Sequence, residues 1–310
     1  MKQYANLHNH TTHSDGVYSP TEIVRIAKKE GYGAFAVTDH DVASAYEETL
    51  AACKACGIEC MLGAEFSSSA SMGAAFHIVG LGFDPNQPDM RDYLQKLSYE
   101  ETHQTQVLFE RGVKEGLIVG ITWEEVLEYN KGITWLCNEH VFRAMKAKGL
   151  KKDIDYRDFF FSVYGDRRGE VPRTHPFLSP DKLIALIHAA GGLAIFAHPG
   201  REFAYVDKLI EFGIDGLEVW YNSSRNDNAL KRKQLQTAYK HGLFVSGGSD
   251  HSGLCGGQYE RYENPELSAH YAPPCSLGTT EIFFREMQTR KLSNEREKHI
   301  DELVEYYKDG

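Results

Sequence analysis

Residues 19–40, "SPTEIVRIAKKEGYGAFAVTDH", decide the class of the fold. Ser19 suits a helix N-cap, Pro20 the first turn and Glu22 the reciprocal capping position, while Gly31 marks a stop, so a helix is predicted between them. The next residues, "AFAVTDH", are a short apolar run that reads as a strand ending at His40. A capped helix feeding a strand is one βα unit, and the unit recurs along the chain. A helix from about Ala43 to Cys56 leads to "CMLGAEF", and "FHIVGLGF" follows before a long polar helix from about Pro88 to Glu115. A second Ser-Pro helix start, "SPDKLIALIHAAGG", leads into "LAIFAHP". Then come "GLEVWY", a helix around Asn228 to Lys240, and "LFVSGGSD".

Between about Leu117 and Leu178 the alternation gives way to short helical pieces, "TWEEVLEYN" and "EHVFRAMKAKG", and to the aromatic and charged "YRDFFFSVYGDRRGE". The chain therefore reads as an α/β body of residues 1–116 and 179–290, an inserted helical subdomain at 117–178 and a charged terminal helix at 291–310. Its 310 residues suffice for one barrel-sized core. The formal net charge of −10 argues against broad, unaided attraction to nucleic acid or an anionic membrane. Apolar runs such as "LAIFA" are too short to span a bilayer and the N-terminus has no apolar signal core, which predicts a cytoplasmic location. The six cysteines show no repeated paired spacing, so reduced thiols are expected and a thiolate zinc site is not.

Against this alternation, the chemically capable residues fall at one kind of place. The segment 7–16, "LHNHTTHSDG", holds three histidines and an aspartate. His8, His10, His40, Glu65, His198 and Asp250 all sit at or just after strand ends, the edge that forms the active-site face of a β/α barrel. On an extended segment the period of two turns His8 and His10 to the same side. One such histidine is most simply a solvated residue, and His13, His103, His175, His188, His241, His270 and His299 are read so. A convergent set of imidazoles and carboxylates is different: crowded in one cleft, it needs protons, ion pairs or a metal ion. Nitrogen and oxygen donors without sulfur suit manganese, zinc or iron, and so many of them imply two or three divalent ions.

The motifs "HNHTTHSDG", "AVTDHD", "GAEFS", "FHIVGLGF", "AIFAHPG" and "SGGSDHSG" resemble, in order, those of the PHP (polymerase and histidinol phosphatase) family of metal-dependent phosphoesterases. The resemblance implies a distorted (β/α)7 barrel carrying the helical insert. It also implies that His8, His10, Glu65 and Asp250 hold one ion, that Glu65 bridges to a second held by His77 and His198, and that Asp15 and His40 hold a third. His251 is the partner expected for that third site. The family's last motif usually reads Ser-Asp-any-His, whereas here Ser249, Asp250 and His251 are contiguous. Nucleotide-cleaving relatives also tend to carry Arg-Pro-His in the insert and His-Pro-Ser-His after the "GLEV" strand, where this chain has "CNEH" and "YNSS".

The expected chemistry is hydrolysis of a phosphate ester, with metal ions lowering the pKa of bound water from 15.7 to about 7. Asp15, His198 and Arg201 are assigned as the catalytic residues. Arg143, His140, Arg201, Tyr221 and Asn222 are assigned to the substrate, and an aromatic in "VWYNSS" offers a stacking surface. The substrate expected is a small phosphomonoester or the phosphate of a nucleotide or short oligonucleotide end, with no membrane and no obligate protein partner. Three other readings stay open at this point: a histidinol-phosphate phosphatase, an amide or lactone hydrolase on a related metal barrel, and a non-catalytic binder of metal or phospholigand.

Overall fold

The computed structural model describes residues 3–150, 156–224, 227–250 and 277–308. Helix α1 (Pro20–Lys29) begins as the sequence predicts: the Ser19 side chain accepts from the Glu22 N–H, and the Glu22 carboxylate accepts from the Ser19 N–H at 2.8 Å. The described residues form eight short strands, six of which fall on the predicted runs, while Ala5–Asn6 and Glu59–Cys60 are additional. β1 (Ala5–Asn6), β2 (Ala34–Phe35) and β3 (Glu59–Cys60) form one parallel sheet. β4 (Gly63–Ser67), β5 (His77–Leu81), β6 (Leu193–Phe196), β7 (Gly216–Trp220) and β8 (Phe244–Gly247) form the second, in that order.

Among the described residues the ladders do not close into the barrel that the resemblance implies. Two sheets meet instead through isolated contacts: Leu7 N–H donates to the Gly247 carbonyl at 3.1 Å, and His40 and Glu65 form a single parallel bridge. Beyond Asn6 and Phe35 the first two strands leave regular pairing, because backbone groups find side chains instead. Asn9 N–H donates to Thr38 Oγ1 at 3.1 Å and Thr11 N–H to Asp39 Oδ1 at 2.6 Å. The second correction concerns direction. β5 runs antiparallel to both β4 and β6, so the body is not a uniform βα repeat.

Helices α2 (Tyr46–Cys56), α3 (Pro88–Lys114), α7 (Pro180–Ala189), α8 (Val206–Glu211) and α9 (Asn228–His241) alternate with these strands. A main apolar cluster joins Phe66, Phe76, Phe83, Phe196, Leu217 and Trp220 to the first half of α3. The two last helices, α10 (Glu281–Thr289) and α11 (Arg296–Tyr306), belong to that body. Phe283, Ile300, Leu303 and Tyr307 are buried in it, Tyr307 Oη accepts from Trp220 Nε1 at 2.7 Å, and Arg296 pairs with the buried Glu286. The terminal segment, whose sequence reads only as a charged helix, is thus part of the core.

The short helices α4 (Trp123–Tyr129), α5 (Asn138–Ala147) and α6 (Tyr156–Val163) gather a second cluster of Val126, Val141, Phe142, Met145, Tyr156 and Phe159. Leu108 and Phe109 join it from α3, whose 27 residues therefore serve both clusters. Among the described residues no helix is long and apolar enough to cross a membrane.

Candidate metal centre

His8 and His10 follow β1 and are fully buried. The approach of β8 leaves no room beside them: a Cβ added at Gly248 would lie 2.4 Å from His8 Cβ, so a side chain there is excluded. Both imidazoles turn to Glu65, from the middle of β4, with His8 Nε2 and His10 Nε2 each 3.3 Å from its Oε2. His40 Nδ1 reaches the same oxygen at 3.0 Å. The other carboxylate oxygen, Oε1, has His77 Nδ1 at 2.9 Å and His198 Nε2 at 2.8 Å. One buried carboxylate is therefore ringed by five imidazoles.

Asp250 closes one side, its Oδ1 lying 3.2 Å from His10 Nε2 and 3.6 Å from His8 Nε2. Asp15 lies on another, 3.6 Å from His10 Nδ1 and 3.9 Å from His40 Nε2. Donor atoms within 4.8 Å of one another form three sets: His8, His10, Glu65 and Asp250; His10, Asp15 and His40; and His40, Glu65 and His77. His77 and His198 also meet, at 3.3 Å, over Glu65 Oε1. His77 starts β5, and only because that strand runs backwards does its first residue lie beside the last residues of its neighbours. A rule based on the C-terminal ends of strands does not select it.

The electrostatics suit a cation. Glu65 Oε2 is buried with three imidazole nitrogens at 3.0–3.3 Å, yet none makes a hydrogen bond to it among the described residues. Without an ion the cluster balances itself with protons. Burial lowers the His10 pKa, but Asp15, Asp250 and Glu65 outweigh it and carry the group up to about 10. His198 is likewise lowered by burial and lifted by Glu65 and Asp250, to about 9. Burial opposes ionisation of Glu65, and His77, His8 and His40 nevertheless hold it well below the usual carboxylate range. His40, lowered by burial and by the other imidazoles, stays neutral more readily.

A second layer holds these groups. Buried Glu218 in β7 contacts His8 Nδ1 at 2.8 Å with one oxygen and accepts from His198 N–H at 2.7 Å with the other. This leaves His8 Nε2 facing the cluster, the usual way a carboxylate sets a metal-binding imidazole. Asp39 accepts from Thr11 N–H at 2.6 Å, Thr11 Oγ1 at 2.7 Å and Ser14 Oγ at 2.6 Å, and so shapes the loop that carries Asp15. Left-handed backbone at Asp41 (φ 53°), His198 (φ 30°) and Asp250 (φ 48°) is concentrated at this site, where strain is retained only because the surroundings enforce it.

The residues assigned to the substrate are more dispersed. Arg143 in α5 donates to the carbonyls of Gly16 at 2.5 Å and Ser14 at 3.0 Å. His140 is buried, with Nδ1 accepting from Cys137 N–H at 3.0 Å and Nε2 3.1 Å from the Thr12 carbonyl. Both side chains thus grip the 12–16 loop from the insert. Tyr221 is buried and accepts from Gln234 Nε2 at 3.1 Å, Asn222 is half-buried, and Arg201 is exposed on the turn after His198. His251 lies outside the described residues. Of the other histidines, His13 meets Ser44 Oγ at 2.7 Å, His175 meets Glu100 at 2.8 Å and His188 meets Asp215 at 2.7 Å.

Sequence reasoning missed Glu218, Asp39 and Trp135. A signal existed for the first: a glutamate inside the apolar run "GLEVW" is out of place unless it has a buried partner. Trp135, in the insert, stacks on His40 with ring centroids 6.2 Å apart.

The comparisons agree with this geometry. The PHP domain model matches residues 6–172. A 5'-3' exoribonuclease of Haemophilus influenzae is 32% identical over 266 residues, covering 83% of this chain and 92% of the relative. A 3',5'-nucleoside bisphosphate phosphatase of Chromobacterium violaceum is 30% identical, covering 79% of this chain and 86% of the relative. A solved structure of a candidate metal-dependent phosphoesterase from Bifidobacterium adolescentis superposes with a TM-score of 0.72 at 26% identity, over 95% of this chain and 98% of the other. The protein belongs to the PHP domain family and is a phosphoric ester hydrolase.

Proposed function

We propose that this enzyme hydrolyses the phosphate of a small phosphomonoester or nucleotide at the Glu65 cluster. His8, His10, Glu65 and Asp250 would hold one ion, His77 and His198 with Glu65 a second, and Asp15 with His40 a third, for which His251 is the further ligand. The all-nitrogen-and-oxygen donor set favours manganese, zinc or iron. Divalent ions so held acidify water and neutralise charge on a phosphate.

The chain's own groups supply the rest. Glu218 and Asp39 hold His8 and the Asp15 loop in place. Asp15 and His198, at the partly open edge of the cluster, act as catalytic residues, and Arg201 contributes charge from the rim. Residues 1–116 and 179–290 form the catalytic body, and the insert 117–178 walls the substrate side. His140 and Arg143 support that side through the 12–16 loop, and Tyr221 and Asn222 complete the surround.

The observation that carries this reading is one buried carboxylate with imidazoles on both oxygens. The named activities of the relatives favour a nucleotide over histidinol phosphate, an amide or lactone, or mere binding. Metal analysis joined to a phosphate-release screen over nucleoside monophosphates, bisphosphates and 5'-phosphorylated oligonucleotides tests it. Release from at least one nucleotide class by metal-loaded protein is expected; turnover confined to a lactone or amide panel would overturn it.

A further inference from the structure

His40 is held differently from the imidazoles around it. Its Nδ1 lies 3.0 Å from Glu65 Oε2 and its Nε2 3.9 Å from Asp15 Oδ2, so both nitrogens face carboxylates of the cluster. His8, by contrast, turns one nitrogen to Glu218 in β7. A ligating imidazole is usually oriented by a hydrogen bond at its second nitrogen, and His40 has no nitrogen left for one. Ring packing must set its orientation instead. Three described rings lie against it: His10 with centroids 4.3 Å apart, His77 at 5.4 Å, and Trp135 at 6.2 Å with 25° between the planes. Of these three, only Trp135 stands outside the cluster of imidazoles.

Trp135 is fixed in turn. It is buried, and with Val42 and Cys137 it forms a small apolar cluster of its own. Val42 follows His40 closely in the loop after β2, so this cluster docks the insert on the loop that carries His40. Asp15 sits on the 12–16 loop, which His140 and Arg143 grip from the same insert. Insert side chains thus hold both members of the Asp15–His40 pair, whereas His8 and His198 are tied to the body through Glu218.

We propose that Trp135 is a positioning residue for His40, and that the insert through it orders the ion at Asp15 and His40 separately from the other ions of the cluster. This rests on the metal-centre reading above. The test measures manganese binding by equilibrium dialysis and elemental analysis in wild type, Trp135→Leu, which keeps apolar bulk without a ring, and Trp135→Phe, which keeps a ring face. In Trp135→Leu the affinity of one ion should fall about tenfold or more while the others bind as in wild type, and Trp135→Phe should restore most of the loss. Three ions bound at wild-type affinity in Trp135→Leu would overturn the proposal, as would an equal weakening of every ion, the sign of a merely structural role. Wild type that takes up only two ions at saturation would overturn it too. Fluorescence of the wild-type protein gives a readout that does not depend on how Trp135→Leu folds. Manganese beside His40 should quench Trp135 as the ion at that site binds, and the quenching step should be missing in Trp135→Phe, where Trp123 and Trp220 remain. The same step in Trp135→Phe would overturn the assignment. Failure of the phosphoesterase reading looks different, since metal-loaded wild type would then release no phosphate while this pattern of ion binding remained.

Discussion

At the scale of single residues, function here depends on Glu65 being outnumbered. A lone buried carboxylate would be protonated, but imidazoles on both oxygens keep it ionised, and in the absence of metal they hold protons in return. The sign of the resulting pH dependence follows. His10 and His198 have folded pKa values raised to about 10 and about 9, so their stabilising contribution is complete below the unfolded value near 6.5 and is lost as pH rises through 9 and 10. Melting curves of metal-free protein should therefore shift downward between about pH 7 and 10, and saturating metal should suppress the shift; an identical fall with metal bound would contradict the assignment. Glu218→Gln should reduce metal affinity about 10- to 100-fold with the fold retained, read by competition with a chelator, because it loosens His8 and the strained His198 together. His8→Ala and Asp250→Ala should each abolish phosphate release while leaving the melting transition in place, and wild-type rates in either variant would refute their roles. Residues of this kind could be read from the sequence where a strand end exposed them, as with His8, His10 and His40. Glu218 was marked only by its place inside the apolar run "GLEVW", and its partners, His8 and the His198 backbone, are set by the fold.

Among the elements, α5 matters through its grip on the loop after β1. Arg143 and His140 reach the carbonyls of Ser14, Gly16 and Thr12, so the insert positions Asp15 although its described residues supply none of the clustered imidazoles and carboxylates. Removing the charged clamp with Arg143→Ala should cost about 1.5–3 kcal/mol in stability and should lower the amount of bound metal per chain. Full metal content by elemental analysis would show that the loop stands without it. Gly248→Ala attacks the same site from the residue after β8, where the new Cβ would collide with His8; a drop in both melting temperature and metal affinity is expected. The capped helices were readable because their signals are local, as at Ser19 and Glu22. The direction of β5 was not, since nothing within "FHIVGLGF" states which neighbour it meets or which way it runs.

For the whole molecule, the sequence indicated alternating helices and strands correctly but suggested a more regular assembly than the chain adopts. The first sheet is cut short because Asn9, Thr38 and Asp39 divert backbone bonds to side chains, and those same diversions build the loop that carries Asp15. Regular closure is given up where the site is made. The last helix closes the body with Ile300 and Leu303, whose burial contributes roughly 1.5–3 kcal/mol each, and Tyr307 packs just beyond its end. Anomalous diffraction from crystals of protein loaded with manganese or zinc is the most direct test of the whole arrangement. Ions on both oxygens of Glu65, at about 2.0–2.2 Å, with His8 and His10 on one side and His77 and His198 on the other, are the predicted result; fully loaded crystals with Glu65 remote from His8 and no ion between them would contradict it.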